Sequence, residues 1–375
     1  MKKGMFFCLA VCSLFFINGS NAQATEDFSL DNREEIINDF EEELSEAEEN
    51  IIQGTTLSEQ EAPSIVANLM FRVIFESDIP IMNLFDDLKI KENPEIDSVD
   101  WYVKNWYEKL ENTSDRTITT TETYRKENGE EVSNPITLRG RYIDNGSDKT
   151  VILHHGYRAL KYELIKQAKF FSEEGFNVLL ISSRAVNGSD GKYITFGYYE
   201  KDDLNMWIND EVNRTNSDQK IVLMGVSMGA STTVLSQNVP HPNVVAYIED
   251  CGYADLHEEM LQAFSWFSEL LPIIKNVDFK QLVNQISQRT ESRLGFSIDQ
   301  ISPIESAKNT DVPKLFIHGG ADDFIPISHM EDMYNASPGY KEKLVVDGAI
   351  HGKSFDTNPE IYTEGLRHFL NNVFQ

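Results

Sequence analysis

Cysteine is nearly missing from this chain: of 375 residues three are cysteine, Cys8 and Cys12 in the leading apolar segment and Cys251 alone in the body. The body therefore has no intramolecular disulfide framework, and its fold must rest on a packed core. Basic residues are also scarce, 33 Lys and Arg against 61 Asp and Glu, and the formal net charge of -28 excludes a basic surface for nucleic acid or anionic lipid. Long apolar runs are lacking too. The stretch from Ile65 to Phe75 is broken by Arg72 and followed by Glu76 and Asp78, and the run from Met5 to Ile17 is too short to span a bilayer. Internal repeats are missing. What is present is 41% hydrophobic and 25% charged residues, the composition of a globular protein with one large core.

The first 24 residues form a separate unit. Lys2 and Lys3 precede the apolar run, and Ala22-Gln23-Ala24 is a small-residue cleavage site, so residues 1–24 are predicted to be a secretory signal peptide cleaved after Ala24. The expectation is a secreted or cell-surface protein with no integral membrane segment after cleavage. A lipoprotein anchored at Cys12 would need Leu9-Ala10-Val11-Cys12 as its lipobox, where Val11 is larger than the usual small residue. Residues 25–110 are predicted to form an acidic helical extension, with 14 acidic residues and one basic residue between 25 and 61. There Ile36, Ile37, Phe40, Leu44, Ala47 and Ile51 recur at helical spacing, which favours a solvated amphipathic helix. The aromatic pairs Trp101-Tyr102 and Trp106-Tyr107 are better taken as helix anchors than as a ligand box.

Residues 111–375 carry another rhythm. Thr117 to Tyr124 and Ile136 to Ile143, separated by Asn128-Gly129, predict a β-hairpin. Short apolar strands then alternate with helical stretches: Val151 to Leu153, Leu160 to Glu174, Asn177 to Ser182, Asp202 to Val212, Lys220 to Met224, Met228 to Gln237. That alternation predicts an α/β fold, a mostly parallel eight-stranded sheet with helices on both faces. After Asn243 to Glu249 the rhythm pauses for about 252–308, a helical insertion predicted to cap the C-terminal edge of the sheet, and it resumes at Lys314 to His318.

Chemistry concentrates at strand ends. Gly225-Val226-Ser227-Met228-Gly229 has the G-x-S-x-G pattern, which alone would arise by chance in roughly one chain in eight of this length. Its position between a strand and an Ala-Ser-Thr-Thr-Val-Leu helix gives it weight, because two glycines permit a tight turn that projects Ser227 above the sheet. A serine hydroxyl needs a histidine to take its proton and an acid to orient that histidine. Downstream stand Asp322, after the strand Lys314 to Ile317, and His351, after Leu344 to Val346, so Ser227, Asp322 and His351 are the predicted catalytic residues. Asp323 is a neighbouring acid that could instead cap the next turn, and Asp250, at the end of the strand before the insertion, is an alternative partner. The strand Val151 to Leu153 runs into His154-His155-Gly156-Tyr157, and the backbone amides of Tyr157 and Met228 are the expected oxyanion hole. His154 and His155, adjacent at a strand end, point to opposite faces and lack a carboxylate-histidine cluster, so no metal and no cofactor is expected.

These pieces together resemble the α/β-hydrolase superfamily, in particular its alpha/beta hydrolases and serine aminopeptidase-like lipases, over roughly residues 115–375. The matching segments are His155-Gly156-Tyr157, Gly225 to Gly229, Ile317-His318-Gly319 with Asp322 and Pro326, and Ala349-Ile350-His351. Many relatives carry R-G-H-G-x-S-x-G after the fourth strand, whereas this chain has Arg184-Ala185-Val186-Asn187-Gly188-Ser189-Asp190-Gly191, without the histidine and its glycine. The resemblance implies a serine esterase acting on a small-molecule or lipid-like ester through an acyl-serine. A peptidase on short peptides would need an acid to hold the substrate ammonium. Asp255, Glu258, Glu259 and Glu269 in the insertion are candidates, read here as solvated surface charges. A binding protein on a hydrolase scaffold is disfavoured by the intact Ser227, Asp322 and His351. Met260, Leu261, Phe264, Trp266, Phe267, Leu270, Leu271, Ile273 and Ile274 give the insertion an apolar side, suited equally to acyl chains and to packing on the body.

Overall fold

A computed structural model describes residues 62–77, 94–160, 162–270 and 277–375. The signal segment, the acidic stretch to residue 61, and Leu271, Ile273 and Ile274 lie outside the described residues, as do the side chains of Phe267, Glu269 and Leu270.

In chain order the helices are α1 (Ala62–Phe75), α2 (Val99–Asn105), α3 (Ile165–Glu173), α4 (Glu200–Arg214), α5 (Met228–Leu235), α6 (Leu256–Leu270), α7 (Phe279–Leu294), α8 (Pro303–Ser306), α9 (Ile327–Ala336), α10 (Ser354–Thr357) and α11 (Pro359–Val373). The strands are β1 (Thr113–Arg125), β2 (Glu131–Ile143), β3 (Lys149–His154), β4 (Asn177–Ile181), β5 (Lys220–Val226), β6 (Val244–Asp250), β7 (Lys314–Gly319) and β8 (Lys341–Val346). They form one eight-stranded sheet in the order β1-β2-β4-β3-β5-β6-β7-β8. Only the β1/β2 and β2/β4 pairs are antiparallel. From β4 to β8 every pairing is parallel, which requires helical crossovers and places helices on the sheet faces.

The hairpin is longer than the apolar pattern alone suggests, pairing Thr113 with Ile143 and Arg125 with Glu131. Gly129 sits at φ 84 in its turn, a conformation open to glycine without strain. β1 and β2 alternate between covered and exposed positions, whereas β4, β7 and all of β3 after Lys149 are buried because both sheet faces are covered there. On one face Val151, Leu153, Val178, Val222, Met224 and Ile248 pack under Phe171 of α3 and Leu366 and Phe369 of α11. On the other, Ile152, Leu179, Leu223 and Tyr247 meet Leu204, Trp207 and Ile208 of α4. Each such aliphatic side chain contributes roughly 1.5–3 kcal/mol when taken out of water, so these two layers carry the stability that disulfides do not.

Helix α3 begins at Ile165, five residues later than the sequence pattern from Leu160 suggests. Tyr162 takes φ 72, and a left-handed residue cannot continue a right-handed helix. The departure loop after β4 is held without the missing histidine. Arg184 makes two 2.8 Å bonds to Asp203 of α4, and Ser189 Oγ accepts from Arg139 N and donates to Ser182 O.

A third apolar cluster lies over the C-terminal strand ends. It joins Phe71 and Phe75 of α1, Met260 and Phe264 of α6, and Ile286 of α7 to Tyr157, Phe196, Met228 and Tyr253. Helices α6 and α7 thus form a cap, and α1, far ahead of the sheet in sequence, closes its side.

Candidate active site

Ser227 stands between β5 and α5 at φ 56 and ψ -122, a strained position for a residue with a side chain. The surrounding glycines make it accessible. A Cβ on Gly225 would lie 2.1 Å from the Gly229 carbonyl oxygen, and one on Gly229 would lie 2.1 Å from His154 O. No larger residue fits either place, so the turn is a consequence of close backbone approach as much as of φ freedom. Ser227 N donates to Asp250 O at 2.8 Å, tying the turn to the end of β6.

The loop after β7 sets the acid. Asp322 Oδ1 accepts from Phe324 N at 3.0 Å and Ile325 N at 2.9 Å, which leaves Oδ2 to face His351. His351 follows β8, its ring edge-on to Phe324 with centroids 5.1 Å apart. Its Nδ1 is 2.8 Å from Asp322 Oδ2 and its Nε2 is 2.9 Å from Ser227 Oγ. All three residues are buried, and Ser227 and His351 line a cleft of about 520 Å3 together with Tyr157, Phe196, Met228, Tyr253, Leu256, Glu259, Met260, Phe324 and Ile325. With Nδ1 bonded to a carboxylate, the ring presents Nε2 as an acceptor to the serine, an arrangement able to activate the hydroxyl as a nucleophile.

Tyr157 and Met228, the residues expected to supply oxyanion amides, flank Ser227 on the cleft wall. Met228 opens α5, so its amide points out of the first turn with no partner inside the helix. The Tyr157 loop is braced from several sides. Gly156 N donates to Glu163 Oε2 at 3.1 Å, Asn187 Nδ2 to Ala159 O at 3.0 Å, and Tyr157 Oη to Ile74 O of α1 at 2.7 Å. Arg158 Nε donates to that same Tyr157 Oη at 2.8 Å and its Nη2 to Val73 O at 3.3 Å.

A model of the X-Pro dipeptidyl-peptidase (S15) family matches residues 101–269. The uncharacterized protein YqkD of Bacillus subtilis (strain 168) is 32% identical over 246 residues, 63% of this chain and 76% of that one. With the sheet order and the strand-end site described above, the family model and this similarity together decide the superfamily. The chain belongs to the α/β-hydrolase superfamily of serine hydrolases. The uncharacterized protein YfhR of Escherichia coli O157:H7 is 25% identical over 225 residues, 59% of this chain and 69% of that one. The solved structure of the Pyrococcus furiosus esterase Pf2001 shares the fold with a TM-score of 0.50 and 23% identity, over 68% of this chain and 91% of that chain.

In this hydrolase the alternative acids have other partners. Asp250 accepts from Tyr362 Oη at 2.7 Å and from Ser354 Oγ at 3.3 Å. Burial raises its carboxyl to about 6, against those two bonds. Asp323 is exposed, and the turn it might have capped is held by Asp322 itself. His154 Nε2 bonds Ser183 Oγ at 2.7 Å, and His155 bonds Gly156 O through Nδ1 at 2.7 Å and accepts Ser183 N through Nε2 at 3.0 Å. Burial lowers these rings to about 3 and about 4, so both are neutral scaffolding beneath the Tyr157 loop.

Among the described residues the one close group of potential metal donors is Cys251, Asp322 and His351, whose ligand atoms lie within 4.8 Å of one another. Asp322 and His351 are already bonded to each other, and burial holds the Cys251 thiol well above its usual range, where it is no thiolate ligand.

One site residue escaped the sequence reading. Glu259, taken above as a surface charge, is 5% exposed and faces the cleft. The signal was present: Glu259 stands three residues after Leu256 and four before Ala263, inside the apolar stripe of α6. Of its companions, Glu258 is exposed and Asp255 half-buried. Cap residue Met260 lines the cleft, whereas Phe264 stacks on Phe279 of α7 at 5.9 Å, so the apolar side of the cap serves both substrate space and packing.

Proposed function

We propose that this hydrolase cleaves carboxylic esters by way of an acyl-Ser227 intermediate. The observation that carries the reading is the continuous chain Asp322–His351–Ser227, with bonds of 2.8 and 2.9 Å. Ser227 Oγ attacks the ester carbonyl carbon as His351 Nε2 takes its proton. Asp322 keeps the other ring proton on Nδ1 and stabilises the imidazolium. The developing oxyanion is met by the amides of Tyr157 and Met228, each worth a few kcal/mol in comparable sites. Collapse expels the alcohol, protonated by His351. Water then gives a proton to His351 and attacks the acyl carbon, releasing the acid and restoring Ser227 Oγ–H. The largely apolar walls of the cleft favour an ester with a hydrocarbon portion.

A peptidase reading has specific support in the dipeptidyl-peptidase family model and in the cleft-facing Glu259. Initial rates on p-nitrophenyl esters from acetyl to palmitoyl, set beside aminoacyl p-nitroanilides, separate the two. Ester turnover that vanishes in Ser227→Ala, by at least about 10^4-fold, supports the proposal, and anilide turnover without ester preference promotes the peptidase. Equal rates for the variant and wild type would remove Ser227 from the chemistry and bring forward a binding role. Export through residues 1–24 belongs to the same proposal, and N-terminal sequencing of secreted protein starting at Thr25 would support it.

A further inference from the structure

The polar side chains lining the cleft are nearly all committed. Ser227 and His351 bond each other, Tyr157 Oη donates to Ile74 O, and Tyr253 Oη donates to Phe196 O at 2.8 Å. Glu259 is the exception: both carboxyl oxygens are buried and neither has a hydrogen-bond partner. His329 Nε2 lies 3.5 Å from Oε2, and that nitrogen also lacks a hydrogen bond. His329 Nδ1 accepts from Ala254 N at 3.1 Å, so the ring proton is on Nε2. Burial keeps the ring neutral, and the 3.5 Å approach is a weak dipole contact in place of an ion pair.

A buried carboxyl without a partner is costly, so a group that supplies a partner stabilises it. Here that group enters the cleft. Tyr157, Phe196, Tyr253 and Phe324 line the same space, and aromatic rings attract cations. Among the described residues no Lys or Arg lines it, and the whole chain carries a formal charge of -28, which draws cations and repels anionic substrates. We infer that Glu259 is a specificity residue that receives a positively charged amine of the substrate, so the substrate class is an ester with an ammonium group on the portion held beneath α6. The inference rests on the hydrolase reading above and deepens it. Burial and the nearby Asp322 charge push the Glu259 carboxyl well above the usual carboxylate range, and an incoming ammonium supplies the countercharge its ionised form needs.

The test separates binding from turnover. Calorimetric titration of the full chain with hexylammonium and with 1-hexanol compares a cation with a neutral probe of similar size. Wild type is expected to prefer the ammonium by about tenfold or more, as a charge-assisted bond gives, and Glu259→Gln to lose that preference. Bound hexylammonium should also slow labelling of Ser227 by a fluorophosphonate, which locates it in the cleft. In turnover, the kcat/KM ratio of 4-nitrophenyl 6-aminohexanoate to 4-nitrophenyl heptanoate should exceed one in wild type and fall at least about tenfold in Glu259→Gln. Equal affinity for both probes in wild type, a preference untouched by Glu259→Gln, or binding that leaves labelling unaffected would each overturn the inference. The wild-type comparison decides alone should the variant fail to fold. A Ser227 that never takes up fluorophosphonate would instead overturn the hydrolase reading, and the calorimetric preference would still judge the ammonium site.

Discussion

Replacing Asp322 by asparagine is the sharpest test of the bonded chain. The carboxylate has two separate duties: Oδ1 accepts the amides of Phe324 and Ile325 at 3.0 and 2.9 Å, and Oδ2 bonds His351 Nδ1 at 2.8 Å. Asparagine can keep the first with its carbonyl oxygen, so the loop after β7 should survive. Its NH2 then replaces Oδ2 and presents a donor where His351 needs an acceptor. The ring responds by moving its proton to Nε2, which points N–H at Ser227 Oγ and can no longer take the serine proton. A loss of about 10^4 in kcat is expected, as in serine hydrolases whose triad acid becomes an amide, equivalent to about 5 kcal/mol of transition-state stabilisation. Loss of one charge-assisted bond sets the stability change at about 2 kcal/mol. Asp250→Asn is the control. Its oxygens serve Tyr362 and Ser354, not His351, so it should cost about 1 kcal/mol of stability and less than about tenfold in kcat. Steady-state ester hydrolysis and denaturant unfolding on the same preparations measure both quantities. An Asp322→Asn enzyme within tenfold of wild type, or an Asp250→Asn enzyme that falls as far, would refute the reasoning.

Two other outcomes follow from packing and burial. Gly225→Ala places a Cβ 2.1 Å from Gly229 O, and because backbone cannot yield as a side chain can, the variant should lose on the order of 3 kcal/mol in urea unfolding; a neutral result would mean the turn is looser than described. His155 titrates near 4 when folded and near 6.5 when unfolded, so between those pH values the unfolded chain binds a proton that the native one refuses. Stability therefore falls on acidification from pH 6.5 to 4, by as much as about 3 kcal/mol from this ring, and His155→Gln should flatten the urea-midpoint profile in that window even though it lowers its plateau.

Much of the site was legible in the sequence because its chemistry is local. The Gly225 to Gly229 turn must follow a strand and open a helix, and Asp322 and His351 must follow later strands, so short-range patterns suffice to find them. Asp322 was the acid expected from its place after β7, and it is the one that bonds His351, but what removes the other two was not legible. That choice depends on Asp322 turning inward to cap its own loop while Asp250 is claimed by Tyr362, 112 positions away. Glu259 was passed over because surface acids are abundant in this chain, although its place in the apolar stripe of α6 sets it apart from Glu258. The onset of α3 was misread because an apolar helical pattern says nothing of the positive φ at Tyr162.

The clasp of α1 on the Tyr157 loop has a consequence for how the molecule is completed. Residues 62–75 leave the ribosome early, yet their native neighbours include α7, more than 200 positions later, and Tyr157 and Arg158 of the loop after β3. Contacts this distant in sequence close slowly, since the chain must first surrender the entropy of a very large loop. The sheet with its serine turn can assemble while α1 still waits for a surface to dock on. The side of the cap is thus closed by a segment made early in synthesis joining one made more than 200 positions later.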